Sequence, residues 1–161
     1  MTASIKLWRI ASETLDYKAN DLTGRGAAKH PGRWNALGES VIYAAPTLAL
    51  AVLETAAHVD DAGLPLNRFV VRLAVPTPTW KAREKLDPSK LDPAWCAIPA
   101  GKASVDIGSK WYTSGRTALL MVPSVIVPEE PAVVINASHP SAKGITAETI
   151  RLFEYNNLFR S

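Results

Sequence analysis

The fold of this chain is decided by the segment Val41-Ile42-Tyr43-Ala44-Ala45, which leads through Pro46 into Leu48-Ala49-Leu50-Ala51-Val52-Leu53-Glu54-Thr55-Ala56-Ala57. The first stretch is short and apolar, and it predicts a β-strand. Pro46 suits the first turn of a helix, so the apolar run after it predicts a helix that continues to about His58. A strand that passes directly into a helix indicates a fold in which the two kinds of element are mixed.

Outward from this segment, the sequence predicts more strands than helices. Residues 16–40 are polar and rich in Gly and Asn, which predicts a long ordered loop of the kind that often carries function. Residues 80–100 predict turns with a short helix, and residues 102–120 predict a helix that Gly108 and Gly115 limit. Further strands are predicted over residues 5–10, 68–75, 118–127, 132–136 and 149–155. This order favours an α+β fold over a doubly wound sheet.

The composition is that of an ordinary globular chain. Its 161 residues are 47% hydrophobic and 20% charged, with a formal net charge of +3. This length predicts a single domain over residues 1–161, with enough apolar side chains for a core. Lysines and arginines are scattered, and their densest group, Lys81–Lys85, contains Glu84. The charge pattern therefore predicts a solvated surface and argues against direct binding of nucleic acid.

Several classes of protein are excluded by what the sequence lacks. Its one cysteine, Cys96, cannot form an internal disulfide, and His30, His58 and His139 do not have the spacing of metal ligands. The sequence has no P-loop, no dinucleotide-binding glycine motif and no zinc-protease motif. It also has no signal peptide and no apolar run of the roughly 20 residues that span a bilayer. We therefore expect a cytoplasmic protein without a metal site or membrane contact.

Three side chains are candidates for chemistry: the cation of Arg33, the ring of Tyr43 and the carboxylate of Glu54. Arg33 lies between Gly32 and Trp34 in the predicted loop, and its planar guanidinium suits a phosphate or a carboxylate. A solvated surface arginine is the alternative. Tyr43 lies near the end of the predicted strand, where its ring is either part of the core or a face for a planar ligand.

Glu54 is the most informative of the three because the predicted helix around it is otherwise apolar. Burying an ionised carboxylate costs several kcal/mol unless a partner compensates for the lost hydration. At four-residue spacing, Leu50, Glu54 and His58 share one face of the helix. Glu54 is therefore either paired with His58 or held for catalysis, and the residues alone leave both interpretations open.

Ser124 is a further candidate, since it is a polar residue within the apolar stretch Val122-Pro123-Ser124-Val125-Ile126-Val127. No Gly-x-Ser-x-Gly motif surrounds this serine, so we do not expect it to be the nucleophile of a hydrolase. Its hydroxyl either lines a pocket or is satisfied by the neighbouring backbone.

An ordered set of short motifs resembles the RES domain family over about residues 5–157. The set comprises Leu7-Trp8-Arg9-Ile10, Gly32-Arg33-Trp34-Asn35, Val41-Ile42-Tyr43-Ala44, Leu53-Glu54-x-x-x-His58, Val122-Pro123-Ser124 and Ile135-Asn136-Ala137-Ser138-His139-Pro140. Each motif is short, but their order and spacing are specific. The resemblance implies a compact α+β domain similar to the ADP-ribosyltransferase fold, with mixed β-sheets and flanking helices.

The resemblance also implies a function. RES domains are toxins of bacterial type II toxin–antitoxin pairs that consume NAD+, and the antitoxin is typically an Xre-like helix-turn-helix protein that covers the active site. By motif position, Arg33, Tyr43 and Glu54 are implied to be pocket residues, with Arg9 and Ser124 as supporting substrate-binding residues. NAD+ is then the substrate, and no resident cofactor is expected.

General chemistry assigns a role to each of these groups. Cleavage of the nicotinamide–ribose bond passes through an oxocarbenium-like centre, which a carboxylate such as Glu54 stabilises. The Tyr43 ring suits stacking on nicotinamide, and the Arg33 fork suits the pyrophosphate. We therefore expect a toxin that cleaves NAD+ and depletes it, with ADP-ribosylation of one protein target as the alternative. An RNA-cleaving toxin and an inactive binding module are further alternatives.

Two departures from better-known ADP-ribosyltransferases leave the acceptor of ADP-ribose open. Val52 stands two residues before Glu54, so the paired-acid signature of arginine-specific transferases is absent. The spacing of Tyr43 and Glu54 is similar to that of two tyrosines in diphtheria-type enzymes. Glu54 then stands in the place of the second tyrosine, and the role of their later catalytic glutamate falls to Glu54, to Ser124 or to no residue.

Overall fold

The computed structural model describes residues 3–57 and 64–159, in which short helices surround two β-sheets. The strands are β1 (Ser4–Ser12), β2 (Val41–Ala44), β3 (Arg68–Pro76), β4 (Glu84–Lys85), β5 (Leu119–Pro123), β6 (Pro131–Asn136) and β7 (Thr146–Phe153). The α-helices are α1 (Arg25–Lys29), α2 (Leu48–Ala56), α3 (Thr77–Lys81) and α4 (Lys102–Ser114). Short 3-10 helices lie at Pro88–Lys90, Pro93–Cys96, Pro140–Gly144 and Tyr155–Leu158. Among these described residues, no helix is long and apolar enough to cross a membrane.

Alternating apolar residues build the first sheet, whose strand order is β1-β3-β7 with antiparallel neighbours throughout. Along the central strand β3, Val71, Leu73 and Val75 are fully buried, whereas the residues between them are partly exposed. Side chains alternate between the two sides of a strand, so these three residues face the second sheet, while Val70 on the other side faces helix α2. Arg72 and Ala74, on the same side as Val70, stay partly exposed.

The second sheet has the strand order β2-β6-β5-β4, and β5 is buried along its whole length. Its neighbours are antiparallel except for β4 and β5, which are parallel, so this sheet is mixed. The two sheets meet where Trp8 of β1 and Ala45 exchange backbone hydrogen bonds of 2.8 Å. This junction places the middle of β1 beside the end of β2.

Four apolar clusters of the described residues hold the sheets and helices together, and the smallest contains Ala45, Leu50 and Ala51. The cluster between the sheets includes Leu7, Val71, Leu73, Leu119, Val133 and Ile135. Helix α4 packs on the opposite side of the second sheet in a cluster with Trp34, Trp111, Leu120, Val122 and Val134. Helix α2 covers the outer side of the first sheet, where Leu48 and Val52 pack against Ile10 and Val70. Each element thus buries its apolar face, which is the main source of stability for such a fold.

The α+β class that the sequence predicts is confirmed, and helix α2 follows strand β2 as expected. The helix begins at Leu48 rather than in a first turn at Pro46. The cause is Thr47, whose hydroxyl accepts a hydrogen bond from the Leu50 N–H at 3.2 Å and so caps the helix. The predicted end of the helix near His58 lies outside the described residues.

Two other boundaries differ from the prediction. Strand β5 ends at Pro123 rather than Val127, because the chain turns at Ser124. Gly115 does end helix α4, where it has a φ of 63°, a left-handed conformation that glycine adopts without strain. Gly108 does not limit that helix. It lies inside α4, where the backbone of Trp34 approaches so closely that a side chain would not fit.

Candidate functional site

A cleft of about 290 Å³ opens beside β1 and β2, under the loop that precedes β2. Its lining residues include the basic Arg9, Lys18 and His30, the acidic Asp21 and the aromatic Tyr43. Basic residues outnumber acidic ones, and such an imbalance in a concave site favours an anionic ligand. The cleft therefore combines an aromatic ring with a positive lining, as binding of a nucleotide requires.

Tyr43 is fixed at this cleft by both hydrogen bonds of its hydroxyl. The hydroxyl donates to Oδ1 of Asn35 at 2.7 Å and accepts from the backbone N–H of Trp34 at 3.0 Å. Burial raises the pKa of the Tyr43 phenol well above its ordinary value, although the Trp34 N–H and the charge of Arg33 act in the opposite direction. The phenol is therefore neutral at physiological pH, and it can offer its ring to a ligand but cannot act as a base.

Asn35 organises the loop before β2, and the sequence interpretation missed this role. The residue is completely buried. Its Oδ1 also accepts from the N–H of Gly32 at 2.8 Å, and its Nδ2 donates to the carbonyl of Ala27 at 2.9 Å. A buried amide with its polar atoms satisfied holds its surroundings rigidly. The segment of residues 16–40, predicted to be a loop, contains the short helix α1. The available signal for Asn35 was its position at the end of the Gly32-Arg33-Trp34-Asn35 motif in this segment.

Arg9 is the cation most deeply placed in the cleft. Its Nε is buried and has no hydrogen-bond partner among the described residues. Burial lowers the pKa of the Arg9 guanidinium, while the nearby Asp21 and Tyr17 act to raise it. The Arg9 side chain is only partly buried as a whole, but a buried N–H without a partner is costly unless a ligand completes its hydrogen bonds. The arrangement fits a phosphate or another anion bound against β1.

Arg33 is not among the residues that line the cleft. Its Nη1 donates to the backbone carbonyls of Trp95 at 3.0 Å and Ala97 at 2.7 Å. These bonds tie the loop before β2 to the segment around the 3-10 helix Pro93–Cys96. The charge of Arg33 still affects the pKa of Tyr43, so the guanidinium lies in the neighbourhood of the cleft. Its contact with phosphates stays a prediction.

Glu54 lies on helix α2 and is not among the residues that line the cleft. Helical spacing places it on the same side as the buried Leu50 and Ala51, which pack near Trp8. Its Oε1 is buried and has no hydrogen-bond partner among the described residues. The alternative pairing with His58 falls outside the described residues. An unsatisfied buried carboxylate oxygen needs an explanation, and a catalytic role is one that such atoms often have.

Ser124 holds a turn at the end of β5 and is almost fully buried. Its Oγ accepts hydrogen bonds from the N–H groups of Ile126 and Val127, both at 3.1 Å. Val127 in turn packs against the cluster that contains Leu50 of helix α2. The structure thus satisfies the Ser124 hydroxyl with backbone, which is one of the two fates that the sequence allows. Contact of Ser124 with a substrate stays a prediction.

The structure therefore brings Arg9 and Tyr43 into one cleft, while Arg33, Glu54 and Ser124 do not appear among its lining residues. Within residues 3–57 and 64–159, no group of three or more His, Cys, Asp or Glu side chains is placed to hold a metal ion. Fold and site together define an α+β protein with two sheets and a basic, aromatic cleft at their junction.

The chain belongs to the RES domain family, whose profile matches residues 6–156. This match covers nearly the whole chain, and the curated relatives below are toxins of that family.

Two curated relatives cover most of the chain. The chain is 49% identical over 156 residues to the "Prs ADP-ribosylating toxin" of Sphingobium sp. (strain YBL2), which covers 97% of this chain and 96% of that protein. It is 33% identical over 125 residues to "Toxin Res" of Yersinia enterocolitica, with 78% of this chain and 80% of that protein covered.

Among solved structures, the chain is similar to one in the crystal structure of the M. tuberculosis MbcT–MbcA toxin–antitoxin complex. The TM-score is 0.58 at 16% sequence identity, and the likeness covers 94% of this chain and 86% of that chain. At so low an identity the likeness establishes a shared fold.

Proposed function

We propose that this protein is the toxin of a toxin–antitoxin pair and that it cleaves the nicotinamide–ribose bond of NAD+. The observation that carries the proposal is the cleft, where the buried Nε of Arg9 lacks a partner near the fixed ring of Tyr43. An anionic ligand with a planar ring satisfies both groups at once. The 49% identity to a protein named as an ADP-ribosylating toxin supports the same substrate class.

Cleavage of the nicotinamide–ribose bond needs no covalent bond between the protein and NAD+. The C1′–N bond breaks, nicotinamide leaves with the electron pair, and water adds to the ribosyl cation with loss of a proton. The task is to orient the dinucleotide and to stabilise positive charge as it develops on the ribose. In this scheme Tyr43 stacks on nicotinamide, Glu54 stabilises the ribosyl cation, and Arg9 with Arg33 holds the pyrophosphate.

The cleft volume sets which part of NAD+ it accommodates. The cleft has a volume of about 290 Å³. This volume is just below the range of roughly 300–1,000 Å³ that is usual for small-molecule sites. One half of the dinucleotide therefore fits inside, and the other half extends over the surface. We place the nicotinamide half inside, beside Tyr43, and the pyrophosphate at Arg9.

The function is tested by incubating the purified protein with NAD+ and measuring nicotinamide and ADP-ribose by mass spectrometry. Glu54→Gln keeps the size of the side chain but removes its charge, and we expect kcat to fall about 100-fold. Glu148→Gln removes an exposed carboxylate that pairs with Arg72 and is the matched control. If Glu54→Gln is folded and turns over like the wild type, the catalytic role of Glu54 is wrong.

A second candidate is transfer of ADP-ribose to a protein, which the name of the Sphingobium relative specifically favours. The bond cleavage is the same, and a nucleophile of the target protein replaces water. Labelled NAD+ in a cell lysate separates the two cases. A single labelled protein band, identified as Prs, supports transfer, whereas free ADP-ribose without a labelled band supports hydrolysis.

The proposed partner is an antitoxin of the Xre-like helix-turn-helix type that covers the cleft. The structural neighbour in a toxin–antitoxin complex supports a partner of this kind for the shared fold. Expression of this chain alone should arrest growth, and co-expression of the protein encoded beside it should restore growth. Failure of that neighbour to bind the purified toxin would argue against the pairing.

A further inference from the structure

We infer that Asn35 is a positioning residue, which fixes the ring of Tyr43 and thereby sets the orientation of nicotinamide in the cleft. The inference rests on the proposed function. Asn35 does not line the cleft, and Tyr43 does. The residue therefore acts on a ligand only through the side chain that it holds.

The first support is the hydrogen bonding of the Asn35 amide. Its Oδ1 accepts from the Tyr43 hydroxyl at 2.7 Å and from the Gly32 N–H at 2.8 Å. Its Nδ2 lies within hydrogen-bond distance of the carbonyls of Ala27, Ala36 and Glu39, at 2.9, 3.2 and 3.4 Å. One buried amide therefore joins the ring to the loop on both sides of the motif.

The second support is that the Tyr43 hydroxyl has no freedom left. It donates to Asn35 and accepts from the Trp34 N–H at 3.0 Å, two residues that are adjacent in the chain. Two bonds in different directions fix the far end of a side chain that β2 already holds at its near end. A ring held at both ends presents one face in one orientation, which lowers the entropy cost of stacking a ligand.

The third support is the close approach of Gly32 to the same ring. A Cβ on Gly32 would lie 2.8 Å from both Cζ and the hydroxyl oxygen of Tyr43, so only glycine fits there. The Gly32 N–H also bonds to Asn35. Gly32 and Asn35 thus both contact the hydroxyl end of the ring. This contact explains why the motif has a glycine at position 32 and an asparagine at position 35.

A double-mutant cycle tests the inference with Asn35→Ala, Tyr43→Phe and the two together, using kcat and KM for NAD+ as readouts. Each single variant should lower kcat/KM about tenfold, as expected when a hydrogen bond that positions a substrate-binding side chain is lost. Both variants remove the bond between Tyr43 and Asn35, but Asn35→Ala also removes bonds to the loop and Tyr43→Phe also removes the acceptor of the Trp34 N–H. The double variant should therefore lose clearly less than the product of the two single losses. Independent losses that multiply to about 100-fold would overturn the inference, as would a wild-type KM in Asn35→Ala.

Two controls separate positioning from simple loss of folding. Asn35→Asp keeps an acceptor for Tyr43 and Gly32 but buries a carboxylate oxygen against the carbonyls that the amide donor now satisfies, so it should be less stable than Asn35→Ala. Compared at equal folded fraction, it should retain more kcat/KM than Asn35→Ala. An equal loss in both variants contradicts the inference. Gly101→Ala adds a Cβ that meets nothing within 4 Å and should leave KM unchanged. If the wild type releases no nicotinamide, the proposed function fails, whereas an active wild type with an unaffected Asn35→Ala removes the inference alone.

Discussion

At the scale of single residues, the incomplete hydrogen bonding of Arg9 is the clearest indication of a binding site. A guanidinium in this position loses hydration, and burial lowers its pKa. The nearest compensating charge is Asp21, which is shared with Arg25 at 3.4 Å. The cation is therefore only partly compensated without a ligand, and this is the condition under which an anion gains most by binding.

We predict that Arg9→Met raises stability and lowers NAD+ turnover. Replacing a partly buried and poorly compensated charge with an apolar side chain should raise the free energy of unfolding by about 1 kcal/mol. The same change removes the proposed phosphate contact, so KM for NAD+ should rise at least tenfold. Thermal unfolding and steady-state kinetics measure the two effects. Arg116→Ala, at an exposed arginine paired with Glu84, is the control and should leave KM unchanged.

The shifted pKa of Tyr43 leads to a prediction about alkaline pH. Its folded-state pKa lies above the unfolded value of about 10, so the unfolded chain loses this proton first as the pH rises. The contribution of Tyr43 to stability is complete below the unfolded pKa and is lost as the pH rises through the folded pKa. The Tm of the wild type should therefore fall more steeply above about pH 10 than that of Tyr43→Phe. Parallel curves would contradict the assigned direction.

At the scale of elements, helix α4 is fitted to the loop before β2 through Gly108. A glycine inside a helix normally costs about 1 kcal/mol relative to alanine. Here the backbone of Trp34 occupies the space of the missing side chain, and Trp34 itself is buried against Trp111 in the same cluster. Close packing between helix and loop thus outweighs helix propensity at this position.

We predict that Gly108→Ala destabilises the protein, against the usual preference of helices for alanine. The added Cβ overlaps the Trp34 carbonyl and forces the loop away from α4. The expected loss is about 2–4 kcal/mol in the free energy of unfolding, as for an overpacked core. Chemical denaturation measures it. The control is Gly101→Ala at the N-cap of the same helix, where the added Cβ meets nothing within 4 Å and the poorer cap should cost only about 1 kcal/mol. A stabilised Gly108→Ala would show that the loop yields easily.

The turn after β5 allows the two interpretations of Ser124 to be separated. Ser124→Ala leaves the N–H groups of Ile126 and Val127 without their acceptor, which should cost roughly 1–3 kcal/mol in stability. If the serine acts only on the backbone, the folded variant keeps its KM for NAD+. A rise in KM without any loss of stability would instead place Ser124 in contact with the substrate.

At the scale of the whole molecule, the sequence predicted the class of fold well because most elements carry local signals. The alternation in β3 and the apolar run of α2 identify themselves, and both appear as predicted. The predicted end of β5 was wrong, because Val125, Ile126 and Val127 are apolar and continue the strand pattern. The chain instead turns at Ser124, whose hydroxyl accepts hydrogen bonds from Ile126 and Val127. Local pattern fails where a single side chain redirects the backbone.

The candidate site was predicted less completely than the fold. The motif around Gly32 and the strand with Tyr43 pointed to the right part of the chain. The importance of Asn35 was not visible, because its partners are gathered by the folding of the loop around it. Arg33 was expected to hold phosphates, and its bonds to Trp95 and Ala97, more than 60 residues away, could not be foreseen. Its remaining role toward NAD+ stays a prediction.

Sequence patterns were sufficient to predict the α+β class, most of the strands, helices α2 and α4, the resemblance to the RES family and the residue types available for chemistry, but not the short elements α1, α3 and β4. Those properties follow from periodicity, turn residues and motif spacing, which are local. The folding of the chain brings Arg9 and Tyr43 into the same cleft, which no sequence pattern predicts. The folded structure also shows that Asn35 holds the Tyr43 ring and that Ser124 stabilises a turn. These contacts depend on burial and on segments that are distant in the sequence. No local pattern shows that the buried Nε of Arg9 lacks a partner, or that Arg33 bonds to backbone carbonyls.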